Sequence, residues 1–237
     1  MVVFFARLLL AVVICLCLPA FSAGTAEKDA DMAREDTEKE LRLLAAAFPN
    51  SSQVILVTRA GVSGPHAQLS AFDMDEGVWK PIIGPAPAMI GRNGFSISGE
   101  KREGDGKTPT GVYRFGFAFG YGPMINSAMP YRQVTRSDIW VDDPASPDYN
   151  QIKKRGETGA KSFEDMVLPD DRYKYGIVIT YNTDPVVPGR GSAIFLHVWK
   201  DPKTPTSGCV AISEENILKL LKWLDPAKHP LIMLQKP

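Results

Sequence analysis

The residues most capable of catalytic chemistry are His197 and Cys209, twelve positions apart in the stretch HVWKDPKTPTSGCVAIS. A cysteine attacks as its thiolate, and an ordinary pKa near ~8.5 leaves little thiolate at neutral pH. Histidine is the side chain best suited to take the proton near neutrality. The pattern indicates a nucleophile and its base. The alternative is a small buried thiol and a histidine that is only a satisfied polar residue.

The residues just before the cysteine are suited to a reaction at a carbonyl group. Gly208 allows a sharp turn and a close approach of substrate to the backbone. The amides of Gly208 and Cys209, together with Ser207, could then point at a developing oxyanion. Such chemistry requires that Cys209 and His197 lie together and that the sulfur reach a groove.

These side chains need a rigid frame, and the sequence predicts one that is rich in strands. Apolar, β-branched runs bounded by Gly, Pro and Ser predict strands at 54–58, 67–74, 78–83, 111–119, 175–182, 192–199 and 231–234. Ser213 begins one helix, predicted to run to about Leu224 with its leucines on one face. Residues 124–172 are polar and are predicted to form a long irregular loop. The fold class is therefore mainly β (α+β), a single domain with one C-terminal helix.

Residues 1–23 have the layout of a secretory signal peptide. A single positive charge at Arg7 precedes an apolar run of about 11 residues, which is shorter than the ~20 needed to span a bilayer. Cleavage is predicted after Ser22 or Ala26, with an uncleaved anchor as the alternative. The expectation is an exported protein with no stable membrane insertion once the signal is removed.

The remaining chain divides by composition into a charged linker or helix at 24–50 and a globular domain at 51–237. Signal removal would also remove Cys15 and Cys17, leaving Cys209 as a lone cysteine with no disulfide partner. A lone cysteine in an oxidising compartment is either buried and inert or retained for chemistry.

Composition excludes several other functions. Lys+Arg and Asp+Glu balance at 27 each, so no charge bias favours nucleic acid or an acidic membrane surface. The glycine-dense segment 84–123 lacks the phosphate-loop and dinucleotide-binding patterns. Neither His66 nor His229 has zinc-ligand spacing, and Asp142, Asp143 and Asp148 lack a calcium-loop pattern. No metal and no cofactor are expected.

Three stretches together resemble the YkuD-type L,D-transpeptidases, the ErfK/YbiS/YcfS/YnhG family, in a branch with a shortened S-G-C signature. The stretches are IGRNGFSISGEKREGDGKTPTGVYRF, YGIVITYNTDPVVPGRGSAIFLHVW and PTSGCVAIS, and the likeness covers roughly residues 53 to 235. Two family side chains differ, because Ser207 stands where a histidine is expected and Ala211 where an Asn or Arg is expected. The spacing from His197 to Cys209 is also shorter than in the commoner form.

The resemblance implies a β-rich, sandwich-like catalytic domain at 51–237 with few helices. It implies that Cys209 is the acylated nucleophile, that His197 is its base, and that the backbone of Ser207, Gly208 and Cys209 forms the oxyanion hole. It further implies peptidoglycan chemistry in the periplasm of a Gram-negative cell. The Cys209 thiolate would attack the third residue of a stem tetrapeptide and release D-alanine. The acyl group would then pass to an amine of a second stem peptide or of a wall-linked lipoprotein.

Two alternatives remain open at this point. Water as the acceptor would make the protein an L,D-carboxypeptidase or an endopeptidase. Loss of chemistry would leave a wall-binding relic, which the replacements at Ser207 and Ala211 favour and the retention of His197 and Cys209 opposes.

Substrate-binding candidates follow from the anionic character of the stem peptide. Arg102, Lys107 and Arg190 are candidate partners for its carboxylates, with ordinary surface cations as the alternative. Strand alternation puts Trp199 on the same face as His197, where it would wall the site or pack in the core. In the long loop, Trp140 and Tyr149 would either form a lid or anchor the loop in the core.

Overall fold

The computed structural model describes residues 23–61 and 64–234. The chain divides into two compact units, residues 1–43 and 44–237. Helix α1 covers Ala23–Ala47. The predicted signal peptide lies outside the described residues except for its last position. Across the two described ranges, no helix combines the length and apolar character needed to cross a membrane.

The described residues of the second unit are dominated by short strands. Helix α2 covers Glu214–Trp223, and a 3-10 helix covers Pro226–Lys228. The strands are β1 (Gln53–Arg59), β2 (His66–Asp75), β3 (Val78–Met89), β4 (Gly111–Gly120), β5 (Tyr131–Gln133), β6 (Asp138–Val141), β7 (Ile152–Lys154), β8 (Phe163–Asp165), β9 (Tyr175–Ile179), β10 (Phe195–Val198), β11 (Val210–Ile212) and β12 (Leu231–Leu234). The predicted class, mainly β with one C-terminal helix, is confirmed.

The main sheet closes on itself. Its strand order is β12-β1-β2-β3-β11-β10-β9-β4-β5, and a further pairing of β12 with β4 joins the two ends. Strand β12 runs parallel to β1 and antiparallel to β4. Closure removes most of the exposed sheet edge and leaves β5 outside the ring. The result is a barrel-like sheet rather than two separate packed sheets.

Strands β10 and β11 lie side by side in this sheet and position the candidate catalytic residues, His197 within β10 and Cys209 immediately before β11. They pair in parallel, with Leu196 opposite Val210 and His197 opposite Ala211. Leu196 and Val210 belong to the main apolar core, together with the buried face of α2. Because side chains alternate along a strand, the odd-numbered residues of β10 point to the opposite face.

Helix α2 forms where local signals and burial agree. Ser213 caps it, because its hydroxyl accepts a hydrogen bond from the Asn216 amide at 3.2 Å. Ile217, Leu220 and Leu221 are buried at helical spacing and fix the helix against the core. The helix predicted from the sequence is confirmed, and it ends two residues before Asp225.

A second, three-stranded sheet of order β7-β6-β8 packs over the odd-numbered face of β10. Residues 138–173, which contain this sheet and the chain that follows it, form a cap. Trp140, Met166 and Tyr173 of the cap form one buried cluster with Phe195 and Cys209. The prediction of an irregular loop over 124–172 is wrong here, since these short strands carry no periodic signal long enough to read.

Asp138 holds the cap together and gives a stability prediction. Its side chain is fully buried and accepts hydrogen bonds from Arg132 at 2.7 Å, Lys154 at 2.8 Å and the Thr135 hydroxyl at 2.7 Å. Burial alone would raise the pKa of Asp138, but these hydrogen bonds outweigh it and hold the pKa far below its ordinary value. Asp138→Asn is expected to lower the free energy of unfolding by about 3 kcal/mol, measured by urea denaturation at pH 7.

The depressed pKa of Asp138 also predicts how the stability of the fold changes with pH. A carboxylate with a depressed pKa stabilises the fold above its unfolded pKa of about 3.9, and this contribution is lost as the pH falls further. The wild type should therefore lose stability below about pH 4 more steeply than Asp138→Asn. Asp165→Asn is the control, because Asp165 is half-exposed and its ion pair with Arg155 is worth ~1 kcal/mol or less. Equal losses in the two variants would contradict the prediction.

Candidate active site

Cys209 lies immediately before β11, and its sulfur is held by backbone groups of the neighbouring segment. The thiol donates to the Ala193 carbonyl at 3.1 Å, and the Phe195 amide donates to the sulfur at 3.4 Å. Ala193 adopts a left-handed conformation with φ 52°, which is uncommon for a residue with a side chain. Only 7% of Cys209 is exposed. The nucleophile candidate is thus fixed in place beneath the cap.

His197 lies within β10 and is also buried. Its Nδ1 is 2.7 Å from the Val198 carbonyl oxygen. Since a carbonyl oxygen only accepts, Nδ1 carries the hydrogen, and Nε2 is the basic nitrogen of the neutral ring. Burial lowers the pKa of His197 to about 4, although the carbonyls of Val198 and Arg172 oppose the shift. The ring is therefore neutral at pH 7, the form that a general base requires.

The two candidates share one face of the sheet but are not hydrogen-bonded to each other. His197 pairs with Ala211, so Cys209 lies two positions away along the neighbouring strand. The sulfur bonds to Ala193 and Phe195 instead of the imidazole. Proton transfer between them therefore requires a side-chain rotation from this arrangement.

Threonines of two separate segments hold the Cys209 carbonyl. Thr206 donates to it at 2.7 Å and Thr108 at 3.4 Å. Thr108 is fully buried, and its hydroxyl also accepts from the Gly91 amide at 2.9 Å. The KTPTG stretch thus supports the cysteine turn from behind. In the sequence this stretch contributes to the family resemblance, but its pattern did not predict a role in positioning the nucleophile.

The predicted oxyanion residues occupy the turn before the sulfur. Gly208 has φ 155°, and a Cβ there would approach the Lys107 carbonyl oxygen to 3.0 Å, so only glycine fits without strain. The Gly208 amide donates to the Thr206 hydroxyl at 3.1 Å. Ser207 is exposed, and its hydroxyl accepts from Arg92 at 3.3 Å. The Gly208 amide would have to leave Thr206 to bind an oxyanion, so the oxyanion hole stays a prediction.

Two of the three basic candidates meet at one carbonyl. Arg102 and Arg190 are both exposed, and each donates a guanidinium hydrogen bond to the Gly99 carbonyl. Lys107 is partly buried in the turn that also contacts Gly208. Their role toward a substrate carboxylate stays a prediction.

The aromatic candidates divide between the sheet and the cap. Trp199 is partly buried at the end of β10, where its amide donates to the Ile212 carbonyl at 2.8 Å. Trp140 is 4% exposed, and its ring packs edge-on against Phe195 with centroids 4.9 Å apart. Tyr149 is 1% exposed and donates to Glu103. Both cap aromatics are therefore packed inside the protein.

The polar neighbours of the sulfur come from the cap and were missed by sequence reasoning. The Tyr173 hydroxyl donates to Glu164 Oε1 at 2.6 Å, and the Tyr173 ring lies edge-on to the His197 ring with centroids 5.1 Å apart. Burial and the Glu164 charge raise the pKa of the Cys209 thiol to about 12, while the Phe195 amide and the Tyr173 hydroxyl oppose the rise. Glu164 falls in the segment predicted to be a loop and Tyr173 directly follows it, and no spacing pattern connects either residue to Cys209.

Cys209 is buried, and the two surface cavities known among the described residues lie elsewhere. Two surface cavities of the described residues, of about 240 and 180 Å³, are both lined by other residues. The larger lies beside Arg136, Arg155 and Leu168, and the smaller beside Phe48 and His229. The expectation that the sulfur reaches a groove is not met in the closed arrangement. Cys209 is buried against residues of the cap in this closed arrangement.

Comparison with known proteins identifies the family. The model of the YkuD L,D-transpeptidase catalytic domain matches residues 62–232, which is more than half of the chain. Neither the curated proteins nor the solved structures gave a match. The matched range contains both His197 and Cys209, and it spans the barrel-like sheet from β2 into β12. The chain therefore belongs to the YkuD family of L,D-transpeptidase catalytic domains.

Proposed function

We propose that this protein is a cysteine-dependent L,D-transpeptidase of peptidoglycan, with Cys209 as the acylated nucleophile and His197 as its base. The observation that carries the proposal is the pair itself: Cys209, the one cysteine among the described residues, directly precedes β11, and a neutral His197 lies on the neighbouring strand, both inside the matched family range. Peptidoglycan stem peptides are the proposed substrate class, since the family acts on them. The proposed location is the periplasm, supported by the signal-peptide pattern of residues 1–23.

The proposed reaction has two steps. The Cys209 sulfur loses its proton to His197 Nε2 and attacks the carbonyl of the third stem residue, forming a tetrahedral intermediate. The intermediate expels D-alanine, whose amine takes the proton from His197, and a thioester remains on Cys209. An amine of a second stem peptide, or of a wall-linked lipoprotein, then attacks the thioester, gives a proton to His197 and forms the new amide, and the proton passes from His197 to the departing Cys209 sulfur.

The closed arrangement must open for this to occur. In the closed state burial keeps both groups uncharged, with the thiol pKa near 12 and the imidazole pKa near 4. Exposure to water removes the desolvation penalty, which is the largest cause of each shift. We therefore expect substrate entry under the cap to bring both pKa values toward neutrality and to activate the pair.

The burial of Cys209 also favours a second candidate, a wall-binding relic without chemistry. A cysteine that is 7% exposed, with its sulfur hydrogen-bonded to the backbone of Ala193 and Phe195, is what an inert structural thiol would show. Hydrolysis by water, giving an L,D-carboxypeptidase or endopeptidase, is a variant of the first proposal. It would share the acyl-enzyme and differ only in the acceptor.

Incubation of the full chain with disaccharide tetrapeptide separates these functions. An L,D-transpeptidase is expected to release D-alanine and to form cross-linked dimers when a second stem peptide is present, both read by mass spectrometry. A hydrolase would release D-alanine but give tripeptide with or without the amine. A relic would release none and would leave the Cys209 peptide unmodified by a carbapenem, and that result would overturn the proposal.

A further inference from the structure

A buried acid and a buried phenol lie next to the proposed nucleophile, and the reaction above does not use them. Glu164 is the middle residue of β8, and Tyr173 ends the cap just before β9. Tyr173 is 3% exposed, and Glu164 is partly buried. Their hydrogen bond of 2.6 Å joins the cap sheet to the chain that leads back to the main sheet.

Tyr173 contacts both members of the proposed catalytic pair. Its ring edge meets the His197 ring at 5.1 Å between centroids. Tyr173 also belongs to the buried cluster that contains Cys209, and its hydroxyl lowers the pKa of the thiol. A phenol has one hydrogen to donate, so it cannot donate fully to a carboxylate and to a thiolate at the same time.

We propose that Tyr173 is a positioning residue whose single hydroxyl hydrogen forms a hydrogen bond either to Glu164 or to the Cys209 sulfur. While Glu164 is charged, it takes the hydrogen bond of Tyr173 and its negative charge opposes a thiolate nearby. When Glu164 is neutral or displaced, Tyr173 turns to the sulfur and stabilises the thiolate. This inference rests on the proposed role of Cys209 as nucleophile.

The charges around the three groups agree with this competition. Burial raises the pKa of Glu164 to about 7, opposed by the Tyr173 hydrogen bond, so its charge changes near neutral pH. Burial also raises the pKa of Tyr173 well above its ordinary value, so the phenol stays protonated. Other charged groups also act on Glu164, Tyr173 and Cys209. Glu103, Asp142 and Arg172 act on Glu164. Arg172 also acts on Tyr173, and Lys101 acts on Cys209.

The test is the pH dependence of Cys209 alkylation by iodoacetamide, followed on the Cys209 peptide by mass spectrometry of the full chain. Glu164→Gln removes a negative charge and is expected to move the midpoint of the alkylation profile down by about one pH unit. Tyr173→Phe removes the donor and is expected to move it up. In the Tyr173→Phe background the Glu164→Gln shift should shrink, because part of it depends on the Tyr173 hydroxyl hydrogen.

Two controls distinguish positioning from simple loosening of the cap. Glu157→Gln, exposed between β7 and β8, and Tyr175→Phe, at the start of β9, should leave the midpoint unchanged. A cap that merely opens would expose the sulfur and move the midpoint down in both test variants. Shifts in one common direction, or no shift in a folded variant, would overturn the inference. The assay needs no peptidoglycan, so opposite shifts together with no D-alanine release would sink the proposed function and leave the inference standing.

Discussion

Replacing Cys209 by alanine is expected to abolish D-alanine release from disaccharide tetrapeptide, a loss of at least about 10⁴-fold in kcat/KM. The reason is that the sulfur forms the covalent bond of the acyl-enzyme in the proposed reaction. Residual turnover would come only from substrate binding. The measurement is steady-state release of D-alanine together with the intact mass of a carbapenem adduct.

Cys209→Ser separates chemistry from packing. Serine keeps nearly the same volume in the buried cluster, but its hydroxyl ionises far less readily than a thiol, so activity should remain close to that of Cys209→Ala. Both variants should retain the thermal unfolding midpoint to within a few degrees. Since the full chain also contains Cys15 and Cys17, the adduct must be assigned to the Cys209 peptide. More than about 1% activity in Cys209→Ala would place the nucleophile elsewhere.

The second large effect is expected at His197. His197→Gln removes the basic nitrogen while keeping a side chain of similar size, and kcat/KM should fall by roughly 10²- to 10⁴-fold. KM should change little, because the ring is 2% exposed and contacts Tyr173 and Val198 rather than an open surface. The measurement is kcat and KM for D-alanine release at several pH values.

His66→Gln is the matched control, since His66 is exposed at the first position of β2. It should leave kcat, KM and the unfolding midpoint unchanged. In His197→Gln the remaining activity should rise with pH, because hydroxide can take over removal of the thiol proton. A variant that is folded and keeps full activity at pH 7 would remove His197 from the proposed mechanism.

The sequence predicted the parts of the fold that carry long periodic signals. Strand β12 was predicted at its observed bounds, and β1 and β4 to within a residue at each end. The predicted strand over 192–199 contains β10, although only Phe195–Val198 pair regularly. These segments are apolar, β-branched runs closed by Gly or Pro, so burial and local preference agree.

The cap could not be predicted, and much of the site depends on it. Strands β7 and β8 have three residues each, too few for an alternation to be distinguished from a polar loop. Glu164 reaches the site through tertiary packing of β8 against β6, a contact between distant parts of the chain. The sequence identified His197 and Cys209 as a pair. Because the cap could not be predicted, its packing against Cys209 could not be predicted either. The domain boundaries, the site roles and the location outside the cytoplasm remain predictions.

The double pairing of β12 has a consequence for how the domain folds. This strand lies at residues 231–234 and is hydrogen-bonded on one side to β1 and on the other to β4. The two seams therefore join segments that lie about 180 and 120 residues apart in the chain. Pairings so distant in sequence are slow to form, so the ring of strands is expected to close late in folding and to leave one edge of β1 and of β4 open to aggregation until then.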